Sequence, residues 1–333
     1  MNDSADTDTR LQQLQQWLRA QGLPEGPLES ASSDASFRRY FRLQADGVSR
    51  VVMDAPPQHE DCRPFVKVAA LLHEAGLNAP RVLAQNLEQG FLLLSDLGTQ
   101  TYLDVLNPGN ADALMRSALD ALVAWQAASR PGVLPRYDAA LLERELRLFP
   151  DWYLAEHLRV TPTGAERRSL ERCFDALVER SLAQTRVWVH RDYMPRNLMP
   201  GQPSPGILDF QDAVEGPVSY DVICLLRDAF LSWPQEQERG WLAYYHEQAA
   251  AAGVPVPRSA AAFWSDCTWM GVQRHLKVMG IFARIRYRDG KPRYLEDAPR
   301  FRDYLQRAAA DEPALLELVD LVEAWHERAP AHG

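Results

Sequence analysis

Hydrophobic residues in the first hundred positions fall mostly into short runs that are typical of strands, with helical spacing in two places. Strands are predicted at residues 36–43, 50–54, 81–84 and 91–95. Helices are predicted at residues 9–21 and 63–76, where apolar side chains recur every three or four positions. Residues 95–98 follow as a connector. The N-terminal part is therefore predicted to be a small lobe rich in β-strands.

The remainder of the chain has the periodicity of helices. Apolar side chains recur at helical spacing in two clear segments, formed by Met115, Leu119, Leu122 and Trp125 and by Leu170, Phe174 and Leu177. Residues 187–189 and 206–210 interrupt this pattern as short strands. We predict an α+β fold of two domains. The first comprises residues 1–98, with a hinge at about 95–98, and the second comprises residues 99–333 and is helical.

Length, charge and cysteine spacing exclude several classes of protein. A chain of 333 residues is too long for one ordinary core, which agrees with two domains. The formal net charge of -9 argues against nucleic-acid binding, which needs a basic surface. The sequence has neither a secretory signal nor a long uncharged apolar stretch, so no membrane association is predicted. Its four cysteines lie far apart, and we expect a cytoplasmic protein without a metal cluster.

The strongest chemical motif is residues 190–197, His-Arg-Asp-Tyr-Met-Pro-Arg-Asn, directly after the apolar run Val-Trp-Val. Asp192 and Asn197 are five positions apart, as in the catalytic loop of kinases. There the Asp accepts the proton of the attacking hydroxyl and the Asn binds a metal ion. We predict that Asp192 is the catalytic base and that Asn197 is a metal ligand.

A second acidic motif follows twelve positions after Asn197, where the apolar run Gly-Ile-Leu ends at Asp209. A carboxylate is the hard oxygen ligand that Mg²⁺ prefers. Taken singly, an Arg-Asp pair is more often a surface ion pair, and an Asp at a strand end is more often a turn residue. Their order and spacing together predict a site for ATP and Mg²⁺, with Asn197 and Asp209 as the metal ligands.

Residues 32–40, Ser-Ser-Asp-Ala-Ser-Phe-Arg-Arg-Tyr, are candidates for the loop that approaches the ATP phosphates. Small residues permit backbone N–H groups to come close to a phosphate, so Ser33, Ala35 and Ser36 are predicted contacts. The segment is not rich in glycine and has no Walker motif. An ordinary polar turn is the alternative interpretation.

One part of a protein-kinase site is missing from the sequence. Protein kinases have a Lys on the third strand that binds the phosphates, whereas Met53 stands at the corresponding position here. We expect Met53 to lie at the nucleotide site, and one or more of Arg38, Arg39 and Arg42, on the neighbouring strand, to meet the phosphate charge instead.

These residues resemble the aminoglycoside phosphotransferase-like kinases, and most closely the bacterial anomeric sugar kinases of cell-wall recycling. The resemblance extends from about residue 31 to about residue 303, so it covers nearly the whole chain. The catalytic-loop motif is common to the superfamily, whereas the other stretches, and Met53, are typical of the narrower group. The matching stretches are SSDASFRRYFRL, VVMDAPP, FLLLSDLGTQTYLD, VHRDYMPRNLM, ILDFQDAVEGPVSYDV, RDAFLSWP and GVQRHLKVMGIFARIRYRDGKPRYL.

The resemblance implies a bilobal protein-kinase-like fold, with a small nucleotide-binding N-lobe and a larger helical C-lobe for catalysis and substrate. It implies that Ser95, Asp96 and Leu97 lie at the hinge against adenine. It also implies phosphorylation of the anomeric hydroxyl of N-acetylmuramate and N-acetylglucosamine. The sugar 1-phosphate would then pass to a uridylyltransferase and re-enter peptidoglycan synthesis.

The sugar is expected on the helical domain, facing Asp192, and two segments supply polar candidates. N-acetylmuramate carries a carboxylate that an Arg or Lys can pair with, and a sugar ring favours an aromatic platform. The alternative is structural, because a basic run at helical spacing is usually a solvated face. The candidate residues are Asp212, Arg227, Asp228, Trp233, Arg274, His275 and Lys277.

Other functions remain open on the sequence. Asp192, Asn197 and Asp209 do not distinguish an amino sugar from another small hydroxyl substrate such as an aminoglycoside, choline or homoserine. A protein kinase is disfavoured, since only twelve positions separate Asp209 from Asp221 and no Ala-Pro-Glu motif occurs. An ATP-binding pseudokinase is favoured by the missing strand Lys and disfavoured by the complete Asp/Asn/Asp set.

Overall fold

The computed structural model describes residues 3–23, 26–31 and 38–330. The chain divides into two compact units. The first comprises Met1–Thr101 together with Met199–Asp212, and the second comprises Tyr102–Leu198 and Ala213–Gly333. The first break lies three residues from the predicted boundary at Gly98. The sequence assigned residues 199–212 to the second domain, whereas in the structure they cluster with the first unit.

The first unit is built on a five-stranded antiparallel sheet with the strand order β1-β2-β3-β5-β4. In the described residues of this unit, helices α1 and α2 and a two-stranded sheet of β7 and β8 accompany it. The elements are α1 (Asp3–Ala20), β1 (Glu29–Ser30), β2 (Arg39–Ala45), β3 (Val48–Asp54), α2 (Arg63–Glu74), β4 (Val82–Asn86), β5 (Phe91–Ser95), β7 (Leu198–Met199, of which Met199 belongs to this unit) and β8 (Gly206–Ile207).

Alternate residues along each strand point to the same side of the sheet. On one side, these residues pack against helix α1. The buried cluster consists of Leu14, Trp17 and Leu18 of α1 with Leu43, Val52, Phe91 and Leu93 of the strands. The register pairs Tyr40 with Met53, and Met53 with Leu92. These three residues therefore share the face of the sheet that is turned away from α1.

The segment 199–212 joins the first unit through contacts with α2 and the loop after it. The Phe65 and Phe210 rings lie 4.7 Å apart. The Ile207 backbone N–H donates to the carbonyl oxygen of Asn78 over 2.7 Å, and the Asn78 amide donates to the carbonyl oxygen of Pro203 over 2.8 Å. Strand β8 comprises two residues, so it is shorter than the predicted run 206–210.

The second unit is mainly helical. Strands β6 and β9 form a two-stranded antiparallel sheet within it. Its elements are α3 (Tyr102–Val105), α4 (Ala111–Ala127), α5 (Ala139–Leu148), a π-helix (Phe149–Leu158), α6 (Gly164–Ala183), β6 (Arg186–Val189), a 3₁₀ turn (Pro195–Asn197), β9 (Val214–Pro217), α7 (Tyr220–Leu226), α8 (Gln235–Ala251), α9 (Ala260–Asp289), a 3₁₀ helix (Pro292–Asp297), α10 (Ala298–Asp311), a 3₁₀ turn (Pro313–Leu315) and α11 (Leu316–Arg328).

Helix α9 runs through the core of this unit and is buried along most of its middle. Gly280 lies directly against the backbone of Leu148, where a Cβ would come within 2.6 Å of its atoms. The periodic segments predicted from the sequence are confirmed, since Met115, Leu119 and Trp125 are buried on α4. Within the described residues, every helix is too short or too polar to span a bilayer.

Candidate active site

Strand β6 leads directly into the loop that carries Asp192 and Asn197, and the loop closes on itself. The Asn197 side-chain N–H donates to the carbonyl oxygen of Asp192 over 2.9 Å, and the Met194 N–H donates to the same oxygen over 3.0 Å. The nitrogen of the Asn197 amide is therefore bonded within the loop. The oxygen of the same amide, a hard ligand for a metal ion, takes no part in this bond. Five positions is the separation that this turn requires.

Asp221, in the first turn of α7, holds the start of the loop. Its carboxylate accepts the backbone N–H groups of His190, over 2.6 Å, and of Arg191, over 3.0 Å. Burial raises the pKa of Asp221 to about 7, although these two N–H groups favour the charged form. No role is predicted for Asp221 from the sequence, where it is a lone acidic residue at the start of an apolar helix.

Arg191 has a left-handed backbone, with φ of 77°, and its side chain turns inward to Glu145 of α5. The same carboxylate accepts the hydroxyl of Tyr137 and pairs with Lys277 Nζ at 3.0 Å. Lys277 also donates to the hydroxyl of Tyr220 over 2.9 Å. We call Glu145, Arg191, Lys277, Tyr137 and Tyr220 the buried brace. It connects the catalytic loop to α5, α7 and α9. Glu145 is a residue of this group for which the sequence pattern predicts no role.

Charge dominates the interior of the brace. Burial opposes ionisation of Glu145, but Lys277 and Arg191 outweigh it and lower the pKa of this carboxyl to about 2. Lys277, a predicted sugar contact, is thus committed to Glu145 and Tyr220.

Four other predicted sugar contacts lie together inside the helical bundle, at the end of α7 and on α9. Arg274 donates to the carbonyl oxygen of Arg227 over 3.2 Å, and the Asp228 carboxylate accepts the N–H groups of Phe230 and Leu231. Burial and then the charges of Arg274 and Arg227 hold the pKa of His275 well below its usual value, so the ring is neutral. The part of the basic run on α9 that contains Arg274 and His275 is therefore buried rather than solvated.

Arg274 is buried but stays charged. Burial opposes its charge, yet its ionisable neighbours, Cys224 and Tyr220 first and then Asp228 and Asp192, raise its pKa. The two terminal nitrogens of Arg227 and one carboxylate oxygen of Asp228 have no hydrogen-bond partner within the described part of the chain. Such a buried polar group suits a polar ligand or water. The ring of Trp233 lies edge-on to that of Trp241, with the ring centroids 5.2 Å apart.

On the first unit, Asp209 is exposed and has a left-handed backbone, with φ of 59°. Backbone of this kind is uncommon in residues other than Gly, and it occurs both in turns and at functional sites. One of its carboxylate oxygens accepts the Gln211 amide over 2.8 Å. Asp212, a predicted sugar contact, is also exposed.

The predicted hinge, residues 95–98, follows strand β5. Side-chain hydrogen bonds hold its backbone in place. Asp96 accepts Arg42 Nε over 2.6 Å and the Gly98 N–H over 2.9 Å. Burial opposes ionisation of Asp96, but the bonds from Arg42 and Ser49 outweigh it and lower the pKa of the carboxyl. Ser95 accepts the Arg81 N–H through its hydroxyl. Leu97 is half-buried beside them.

Of the remaining predicted nucleotide contacts, the structure describes Met53 but not the three residues of the phosphate-loop candidate. Met53 is completely buried on the sheet face opposite α1. Ser33, Ala35 and Ser36 lie outside the described residues.

Comparison with known proteins places this site in a family. The profile of the phosphotransferase enzyme family matches residues 27–263. The chain is 58% identical to the N-acetylmuramate/N-acetylglucosamine kinase of Pseudomonas aeruginosa, over 97% of this chain and 99% of that protein. It is 54% identical to the kinase of the same name from Pseudomonas putida, over 95% and 96%.

A solved structure shares the fold. Spectinomycin phosphotransferase, in complex with ADP and spectinomycin, superposes with a TM-score of 0.62 at 14% identity, over 90% of this chain and 98% of that one. The protein-kinase-like fold class expected from the sequence is confirmed.

Proposed function

We propose that this chain, which belongs to the phosphotransferase enzyme family, transfers the γ-phosphoryl group of ATP to the anomeric hydroxyl of N-acetylmuramate and N-acetylglucosamine. The observation that carries the proposal is the closed loop from His190 to Asn197, fixed by Asp221 and the buried brace. The relatives in two Pseudomonas species, through the substrates in their names, support the choice of acceptor.

Asp192 is the base in this proposal. Its carboxylate takes the proton of the anomeric hydroxyl while that oxygen bonds to the γ-phosphorus and the bond to the ADP oxygen breaks. Neither hydrogen bond to the Asp192 carbonyl involves its carboxylate, so the loop holds the backbone and leaves the acid group for chemistry.

The donor atoms of Asn197 and Asp209 fit a magnesium ion. Both supply oxygen, one as an amide whose nitrogen is bonded within the loop and the other as an exposed carboxylate. Bound there, Mg²⁺ would neutralise phosphate charge. Ser95, Asp96 and Leu97 would contact the adenine, and the braced Asp96 would keep that segment in one conformation.

The product would be a sugar 1-phosphate, which a uridylyltransferase consumes when it forms a nucleotide sugar. Phosphorus NMR of the product tests the position of transfer directly. We expect the three-bond coupling of the phosphorus to be to the anomeric proton. A phosphorus that couples over three bonds to the proton of another carbon, and not to the anomeric proton, would refute the proposal.

Arg274 is proposed to favour the carboxylate-bearing sugar. Replacing Arg274 with Gln should raise the Michaelis constant for N-acetylmuramate about 10- to 100-fold more than that for N-acetylglucosamine, the value of a charge-assisted hydrogen bond. Steady-state kinetics with both sugars measures the ratio. Arg286→Gln, at an exposed position on the same helix, is the control. Equal losses with the two sugars would remove Arg274 from carboxylate recognition.

A pseudokinase is the alternative that Met53 raises, because a buried thioether supplies no charge for phosphate. Met53 is equally typical of the sugar kinases that the sequence resembles, so it does not favour a pseudokinase over a kinase. A pseudokinase would bind ATP without sugar-dependent release of ADP, so an ADP-release assay separates the two functions.

A further inference from the structure

The sheet register shows which residues lie beside Met53, the position at which protein kinases have a Lys. Tyr40 of β2 lies opposite Met53 of β3, on the face turned away from α1. Arg38 directly precedes β2, two positions before Tyr40, and alternation along an extended chain places it on the same face. Arg38 is therefore the next residue along this face from the pair that contains Met53.

The other two arginines of this segment have different positions. Arg39 lies on the α1 face, where its Nε donates to Asp54 over 2.9 Å and Arg10 of α1 donates to the same carboxylate over 2.7 Å. Arg42 shares the face of Tyr40 but lies towards the connector. It donates to Asp96 and to the carbonyl oxygen of Gly98. Neither is next to Met53.

Arg38 is held by Glu60, shortly before α2. Its guanidinium donates to the Glu60 carboxylate over 2.8 Å, and both side chains are mostly buried, with 13% and 20% of their surface exposed. In α2, Phe65 contacts Phe210, the residue after Asp209. This contact brings the segment with the metal-ligand candidate to the end of the helix where Arg38 and Glu60 meet.

The electrostatics agree with this placement. Burial opposes the charge of Arg38, but Tyr40, Glu60, Asp212 and Asp209 outweigh it and raise the pKa of the guanidinium. The group is thus a permanent cation in the field of Asp209.

We propose that Arg38, oriented by Glu60, is the cation that contacts the phosphates of the bound nucleoside triphosphate. This inference rests on the proposed function and deepens it. Protein kinases use a strand Lys paired with a helix Glu for this purpose. Here the same ion-pair arrangement comes from the adjacent strand and the loop before α2. Arg binds phosphate through two parallel N–H groups and reaches further than Lys, which suits its position beside Met53.

Equilibrium binding tests the inference without turnover. We would measure by calorimetry the affinities of the wild-type chain and of Arg38→Gln for ATP with Mg²⁺ and for adenosine, which has no phosphates. The expected result is an affinity for ATP lowered about 10- to 100-fold, with the affinity for adenosine unchanged. Glu60→Gln should lower the ATP affinity in the same direction but less, because it removes only the orienting partner.

Arg63→Gln is the control, since Arg63 opens α2 nearby but is 77% exposed. It should bind both ligands as the wild type does. If Arg38→Gln binds ATP as tightly as the wild type, or loses ATP and adenosine affinity equally, the inference is overturned. If that variant does not fold, Arg38→Lys decides by the same comparison, since a shorter donor should still lose ATP affinity selectively. A wild-type chain that binds neither ligand would instead overturn the proposed function itself.

Discussion

Replacing Asp192 with Asn is expected to lower kcat about 10²- to 10⁴-fold, the usual contribution of a positioned general base. An amide cannot take the proton of the sugar hydroxyl. The fold of the loop should survive, because Met194 and Asn197 donate to the backbone carbonyl of residue 192 and not to its side chain. Steady-state ADP release with N-acetylglucosamine measures the effect.

Measurements of ATP binding and a matched control variant distinguish loss of the chemical step from damage to the fold in Asp192→Asn. Asp192→Asn should bind ATP with nearly wild-type affinity, since the carboxylate acts on the acceptor hydroxyl. Asp175→Asn, at an exposed position on α6, should leave kcat unchanged. Normal turnover in Asp192→Asn would exclude this residue as the base.

The largest loss of stability is expected from Glu145→Ala, which leaves Arg191 and Lys277 buried without their shared carboxylate. Removing one partner of a buried ion pair lowers the free energy of unfolding by about 3–5 kcal/mol. Glu171→Ala is the matched control, because its ion pair with Arg147 is about half exposed on both sides and should contribute at most about 1 kcal/mol. Denaturant titration measures both, and equal losses would contradict the role given to the brace.

The same carboxyl makes stability depend on pH in a defined direction. The pKa of Glu145 is lowered from its ordinary 4.5 to about 2, so the folded state favours the ionised form. Its contribution is fully present above pH 4.5 and is lost as the pH falls towards 2. Glu145→Gln should therefore lose less stability than the wild type over that interval.

Local pattern was enough to predict much of the fold and the catalytic loop. Periodicity indicated the helices that contain Met115 and Leu170, and the five-residue spacing of Asp192 and Asn197 matches the turn that the structure contains. Both depend on residues close together in sequence, where spacing determines which side chains share a face.

Long-range pairing could not be predicted in this way. Glu145, Arg191 and Lys277 come from α5, the loop after β6 and α9, and no local pattern indicates that they meet. On α9 the basic run is typical of a solvated face, yet Arg274 and Lys277 are buried because partners from other helices compensate their charge. Likewise, the placement of residues 199–212 depends on the Phe65–Phe210 contact.

Release of ADP in the presence of matched sugars tests the central claim most directly. N-acetylmuramate and N-acetylglucosamine would be compared with their 1-O-methyl glycosides, which differ only in lacking the free anomeric hydroxyl. We expect ATP- and Mg²⁺-dependent turnover of both reducing sugars and none of either glycoside. Turnover of the methyl glycosides at a comparable rate would contradict it.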